Sequence, residues 1–570
     1  MAAPIARKSR TFVSEDLVIT DWESIRPYFE ELLKAGFNTV DDIVQWLSRR
    51  SELENVVGEE YRWRYVRQSC DTTNEVLEKA FNTFIEQIMP QWMQVSNELN
   101  EKIAASPLLE QLDKNRFGIY LRSLKNTLEL FREENIPLFT EIDKLSNEYG
   151  KISGAMTIEY DGRELTLQQA ARLLQQKDRA VRQEVFEKIQ NRRLQDKEKL
   201  EDLFDQLLRL RHQVALNAGF NNFRDYMMRS LGRFDYTVAD CEAFHEAVAK
   251  VIVPIIRKIQ EQRAEVLNLY PLRPYDLDVP VHGDHPLTPF KEADELLAKS
   301  ITTLGATDPY FSYCIETMKV MGHLDLDSRK GKRPGGYNMP MPETGVPFIF
   351  MNAAGTQRDI ITMVHEAGHA VHSFLTKDLE FDFEQNFGSE VAELASMSME
   401  LMTMDHWNTF YSDPELLQRA KTEQLEGILG VLPWIATVDK FQHWIYTHPQ
   451  HSREERKEAW LQILKTFSTG LINWDGYEEA QAYSWHRQLH IFEVPFYYIE
   501  YGIAQLGAIG VWKNFRANPE QAIRQYKAAL SLGNTATIPE IYAAAGVPFD
   551  FSEQNISQLA GLLSSELQLN

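Results

Sequence analysis

One pentapeptide limits this chain more than any other stretch: His365-Glu366-Ala367-Gly368-His369. Just upstream, Thr356 and Asp359 stand three apart, a capping-box start signal. No proline follows until Pro414. The spacing predicts a helix from about Gln357 to about Leu375. Residues four apart on a helix lie one above the other, so the imidazoles of His365 and His369 can reach one metal ion. Glu366, one position on, can touch a water on that ion but is poorly placed as a third ligand. The pattern assigns zinc to the histidines and the general base to the glutamate. The alternative is a buried helix with two satisfied histidines. A third ligand decides between them, because a zinc centre that does chemistry takes three protein ligands and keeps one position open.

Glu393 is the candidate. The stretch from Phe387 to Glu400 is rich in helix formers and has no breaker after Gly388. Its apolar residues, Ala392, Ala395, Met397 and Met399, are small or flexible, so a second helix can approach the first closely. A carboxylate among them needs a cation partner. The competing picture is a solvated acidic face of Glu390, Glu393 and Glu400, which the interleaved Met and Ala disfavour. Glu400 and Glu390 are candidates to orient the histidines from behind.

Net charge is −23, which argues against nucleic acid and against an anionic membrane surface. The chain is long enough for one large domain or two to three ordinary ones. Cys70, Cys241 and Cys314 are odd in number and widely spaced, so the expectation is neither disulfides nor a cysteine metal motif, and a reducing cytoplasm. The N-terminus has basic residues with no apolar core after them, and no apolar run is long enough to span a membrane.

In chain order, residues 15 to about 150 read as helices with short breaks, including Trp22 to Leu33, Val40 to Leu47 and a long one from Asn74 to Ile103 interrupted at Pro90. From Met156 to Leu167 the pattern alternates around Asp161-Gly162, a hairpin signal. Helix resumes from Gln168 to Leu216 and from Val238 to Val266 despite Pro254. Leu269 to Pro289 is proline-rich and reads as an irregular crossing segment, with His282 and His285 at its surface. Phe348 to Asn352 reads as a strand; its edge is a candidate for pairing with an extended peptide, unless it is an ordinary core strand. Helices return from Pro414 to Asn570. Trp434, Trp444, Trp460, Trp474 and Trp485 are expected in the core, and His443, His448 and His451, near Pro449, at the surface. The expected segments are 1–150, helical; 151–330, helical with the hairpin; and 331–570, carrying the metal site, the lobes forming one compact unit.

With His365, Glu366, His369, His372 and Glu393-Leu-Ala-Ser, the chain resembles the thimet oligopeptidase and oligoendopeptidase F family of zinc peptidases, closest to the bacterial Pz-peptidase type. Lys332 to Tyr337, Pro347 to Asn352 and Phe496 to Gly502 extend the likeness, which covers roughly Leu165 to Leu563. The resemblance implies a mainly α, zincin-like fold of two helical lobes around a deep channel, with a small β-sheet next to the zinc helix. It implies one Zn2+ per chain at His365, His369 and Glu393, Glu366 as base, and short oligopeptides cut at internal bonds. The alternatives are a zinc dipeptidyl-peptidase or metallocarboxypeptidase, and a peptide-binding protein with a dead site; the intact Glu366 and ligand set speak against the last.

Peptide hydrolysis at zinc develops negative charge on oxygen, and a hydrogen-bond donor should share it. The stretch from His486 to Tyr501 is dense in such donors, and Tyr498 and Tyr501 share a helix face. An aromatic-rich core helix accounts for the same residues equally well. The resemblance implies that His490, Tyr498 and Tyr501 bind substrate and stabilise the transition state, with Tyr497 a rival to Tyr498.

Overall fold

The computed structural model describes residues 3–283, 286–333 and 335–569; His285 lies outside them. The protein is mainly helical. Its sheets, among the described residues, are a two-stranded hairpin and one three-stranded sheet. Two compact units form, and they are not consecutive stretches such as 1–150, 151–330 and 331–570. The first gathers Met1–Glu129, Leu287–Ala420 and Gly507–Phe549; the second gathers Leu130–Pro286, Lys421–Leu506 and Asp550–Asn570. Helices separated widely in sequence complete each core, which local composition does not reveal.

In the first unit, helices Trp22–Lys34, Val40–Cys70 and Glu75–Thr83 open the chain. Phe29, Leu32, Ile43, Leu47, Phe84, Leu99 and Ile103 form a buried cluster from faces that recur at helical spacing. The break expected at Pro90 is not a break. A π-turn at Phe84–Ile88 precedes the helix Met89–Ala104, and Pro90 sits in the first turn of that helix. A proline has no N–H to donate and its ring crowds the carbonyl four residues back, so a locally widened turn lets the helix pass.

The three-stranded sheet has β3 (Leu324–Asp327), β4 (Tyr337–Met339) and β5 (Phe348–Ala353) in the order β3-β5-β4, after the hairpin strands β1 (Thr157–Tyr160) and β2 (Arg163–Thr166). β5 confirms the strand but corrects its use. It pairs in parallel with β3 and antiparallel with β4, Met339 opposite Phe348 and Tyr337 opposite Phe350, so neither edge is free for a peptide. Tyr337 stacks on Phe350 at 4.8 Å. β3 and β4 are three or four residues long and lie among Asp, Gly and Pro, too short for a period-two signal.

In the second unit, β1 and β2 pair with Tyr160 opposite Arg163, and Asp161 and Gly162 take φ of 51° and 69° in the turn. That left-handed pair is what a two-residue hairpin demands. Helices Arg179–Gln195 and Lys197–Asn217 follow. Val238–Ala247 and Val253–Leu267 are joined by another π-turn, Val248–Ile252, ahead of Pro254. Among its described residues the proline-rich segment is irregular apart from one short turn, Pro274–Asp276, and a lone bridge from Leu272 to Ile472, and it is anchored: buried Asp276 accepts from Arg179 and Arg182, each at 2.8 Å. Trp460 and Trp485 are core residues, whereas Trp434, Trp444 and Trp474 are only half-buried. Trp444 stacks on exposed His448 at 5.0 Å. His443 is not a surface residue: it lies on the inner face of the helix Pro414–Thr447, four residues after buried Asp439. Among the described residues no helix is long and apolar enough to cross a membrane.

Candidate active site

The first unit builds one cluster. Helix Gln357–Thr376 begins as its sequence requires, with Asp359 Oδ2 accepting from the backbone of Ala354 and Thr356 at 3.0 and 2.8 Å. It packs against helix Ser389–Thr403. The contact is closest at Gly368, inside the pentapeptide: a Cβ there would stand 2.5 Å from Ser396 Cα and 2.8 Å from Ala395 O. Only a glycine allows the two backbones that approach. A glycine between two candidate ligands was a readable signal for it.

The approach brings Glu393 Oε2 to 3.4 Å from His365 Nε2 and 4.0 Å from His369 Nε2. The two imidazoles stand nearly perpendicular, with centroids 4.9 Å apart. One donor atom from each of His365, His369 and Glu393 lies within 4.8 Å of the others. His365 Nδ1 donates to Glu400 Oε1 at 2.7 Å, which turns Nε2 toward Glu393. The Ala392 carbonyl does the same for His369. Of the two residues expected behind the histidines, Glu400 holds one; Glu390 instead folds its carboxylate over Gly388. Ser396 Oγ donates to Glu393 Oε2 at 3.2 Å.

Glu366 is only 7% exposed. Burial pushes its pKa up to about 7, against the charge of His365 and with that of Glu393 and Glu400. Asn338 of β4 holds it from the sheet: its backbone N–H reaches the Glu366 carboxylate, and its Nδ2 donates to the Glu366 carbonyl at 3.1 Å. Burial disfavours a charged His365, but Glu400, Glu393 and Glu366 outweigh it and raise the pKa to about 10. Burial and the charge on His365 drive His369 well below its ordinary value. Three carboxylates thus surround two imidazoles in a buried place. Two nitrogens and one carboxylate oxygen, with an excess of negative charge behind them, suit a divalent cation of borderline softness.

The second unit assembles the other predicted residues. His490 lies on the short helix Leu489–Glu493, and Tyr498 and Tyr501 on the first turn of Tyr498–Ala517. The His490 ring is 4.7 Å from Tyr498, and 6.0 Å from both Tyr497 and Tyr501. Two residues outside the sequence expectation organise the cluster. Trp434 Nε1 donates to Gln488 Oε1 at 2.8 Å, which fixes the orientation of that amide. Gln488 Nε2 must then donate to His490 Nδ1, at 2.6 Å, leaving the His490 proton on Nε2. Burial lowers the His490 pKa to about 4, so the ring is a neutral donor near pH 7. Trp434 and Gln488 also hydrogen-bond the Tyr498 hydroxyl, whose pKa is raised by burial. The segment before the tyrosines is held under strain: Phe496 takes φ of 67°, with its carbonyl accepting from Arg233 Nη2 at 2.5 Å and its N–H donating to Gln442 Oε1 at 2.8 Å. Arg233 also pairs with Glu500 at 2.7 Å.

Comparison with known proteins agrees with this chemistry. The model of peptidase family M3 matches residues 172–289 and 315–560, and that of the peptidase M3 N-terminal domain matches 12–131. A solved structure of Pz peptidase A with an inhibitor superposes with a TM-score of 0.88 at 27% identity, covering 96% of this chain and 97% of that one. The oligoendopeptidase F homolog of Borreliella burgdorferi is 23% identical over 82% of this chain and 76% of its own length. Oligopeptidase PepF of Bacillus subtilis is 25% identical over 54% of this chain and 46% of its own. A family model that spans most of the chain, on a mainly helical fold carrying this histidine and glutamate centre, leads to one conclusion: the chain belongs to peptidase family M3 and is a metallopeptidase.

Proposed function

We propose that the protein is a zinc-dependent endopeptidase that cuts internal bonds of short oligopeptides. The observation that carries this reading is the mutual approach of His365, His369 and Glu393 within 4.8 Å, with Glu366 buried beside them. One zinc ion per chain is held by those three side chains and, when bound, supplies Lewis-acid polarisation of water and of the scissile carbonyl. Glu366 takes the proton of the attacking water and delivers it to the departing amine. Burial works to raise the pKa of this carboxylate, which suits it to hold a proton as well as to take one. Glu400 keeps the His365 ring oriented for its ligand role. His490, through its Nε2–H, and Tyr498 and Tyr501, through their hydroxyls, donate to substrate oxygens; Gln488 and Trp434 set the protonation and direction of those donors. Tyr498 is favoured over Tyr497 because its ring lies nearer His490, at 4.7 Å against 6.0 Å.

Incubation with a quenched peptide library, with and without chelator and followed by mass spectrometry, tests the reading. Chelator-sensitive cleavage at interior bonds is the expected result. Release of terminal dipeptides or single residues alone would replace it with an exopeptidase, and no cleavage under any condition with a peptide-binding role.

A further inference from the structure

A second constellation with metal-ligand chemistry lies in the second unit, made of side chains that have no part in the proposed reaction. Helix Val238–Ala247 carries Cys241 and His245; helix Pro414–Thr447 carries Asp439 and His443. Each pair is four residues apart, so each presents both side chains on one face of its helix. The four are 2%, 1%, 0% and 7% exposed in the order Cys241, His245, Asp439, His443. One donor atom from each of Cys241, Asp439 and His443 lies within 4.8 Å of the others. Asp439 Oδ2 is 2.8 Å from His245 Nε2 and 3.2 Å from His443 Nε2. Asp439 Oδ1, by contrast, is buried with no hydrogen-bond partner, as are His443 Nδ1 and His245 Nδ1.

A buried carboxylate oxygen left unpaired is costly. Beside a thiol and an imidazole it has an obvious use. We propose that Cys241, Asp439 and His443 bind a second divalent metal ion of the zinc type, with His245 donating to Asp439 to orient it. Thiolate and carboxylate together balance a divalent cation, so the buried site is neutral when filled. A thiolate donor selects zinc or cobalt over magnesium or calcium, which take oxygen ligands. Ligands of a tetrahedral zinc stand roughly 3.5 Å apart, so closing around the ion needs side-chain shifts of about 1 Å. Only three protein side chains reach the ion, but burial of all three closes the fourth position to any substrate, so the role is structural rather than hydrolytic. His443 packs edge-on against Phe496 at 5.6 Å, and its neighbour Gln442 accepts from the Phe496 N–H. A metal here would pin the strained residue that leads into Tyr497 and Tyr498.

The test is a cobalt titration of the full chain after chelator treatment, under a thiol-free reductant. The expected result is one cobalt beyond that taken by the His365 centre, with a thiolate-to-cobalt charge-transfer band. The band should persist in Cys70→Ser/Cys314→Ser, where Cys241 is the remaining thiol, and in His365→Ala. It should vanish in Cys241→Ser, whose circular dichroism reports whether the fold is kept. Absence of the band in the folded, cobalt-saturated protein overturns the proposal, whatever the variants do. So does a band that survives Cys241→Ser or is lost in Cys70→Ser/Cys314→Ser. Loss of interior peptide cleavage without loss of the band would strike the proposed function and leave this site standing.

Discussion

Glu400 Oε1 lies 2.7 Å from His365 Nδ1, on the side of the ring away from Glu393. The carboxylate accepts that proton and so leaves Nε2 to serve as the proposed metal ligand. Glu400→Ala should therefore weaken zinc binding by about 10- to 100-fold. Competition with a zinc chelator of known affinity measures it. Unchanged affinity would mean that the ring is oriented by packing alone.

Glu366→Gln should retain metal and lose at least about a hundredfold in kcat, the scale of general base catalysis. Glutamine keeps the shape but cannot accept the proton of the water. Metal analysis beside steady-state kinetics decides it: near-normal turnover in a metal-loaded variant would place the base elsewhere.

Tyr498→Phe should lower kcat by about a hundredfold or more with little change in KM, as loss of one donor to a developing oxyanion costs about 3 kcal/mol. His490→Ala should raise KM as well. Gln488→Leu should reproduce part of the His490 defect, because Nδ1 loses the donor that fixes its tautomer. If Tyr497→Phe or Tyr501→Phe is crippled while Tyr498→Phe is normal, the donor is assigned to the wrong ring.

Gly368→Ala should destabilise the fold by about 1–3 kcal/mol, since the new methyl meets backbone that cannot move aside cheaply. It should also weaken zinc binding by spreading the two helices. Denaturant melts and metal titration read the two effects; a stable variant with unchanged affinity would show that the helices adjust freely.

His372 supplies a pH dependence. It is fully buried, stacked on Phe387 at 3.7 Å, and burial lowers its pKa from 6.5 to about 3, with the Leu530 backbone acting in the opposite sense. The unfolded chain binds this proton at a higher pH than the folded one does. The stability that His372 confers is thus complete above about pH 6.5 and is lost as pH falls toward 3, by at most about 1.4 kcal/mol per pH unit. His372→Gln should remove that slope from the denaturant midpoint measured between those limits. An identical slope in the variant would assign the acid sensitivity to other groups.

The helix of His365 and His369 was legible because its signals are local: a cap at Thr356, two histidines one turn apart and no proline before Pro414. The approach of Glu393 to the histidines was legible because small residues flank it. The hairpin at Asp161-Gly162 was legible for the same reason, as two residues dictate the turn. What escaped was set by tertiary pairing. β5 reads as a strand, but its partners are short segments with no pattern of their own, so the occupied edges could not be foreseen. His443 sits near Pro449 in sequence yet faces Asp439, one turn back on its own helix, and His245 of another helix. Gln488 and Trp434 are separated by more than fifty residues and acquire meaning only through their hydrogen bond.

The discontinuous first unit bears on how the chain is made. Helices Pro519–Leu530 and Ile538–Ala544 belong to the same unit as the metal helices. Tyr526 donates to the Ala395 carbonyl at 2.8 Å, and Tyr542 to the Glu390 carbonyl at 3.2 Å, one on each side of Glu393. Both tyrosines leave the ribosome well over a hundred residues after the glutamate they flank. Contacts of such long sequence separation form late in folding. During synthesis the histidines therefore emerge before the framework that positions Glu393 beside them, and the nascent chain lacks the assembled cluster of His365, His369 and Glu393 until the stretch ending at Phe549 has been released.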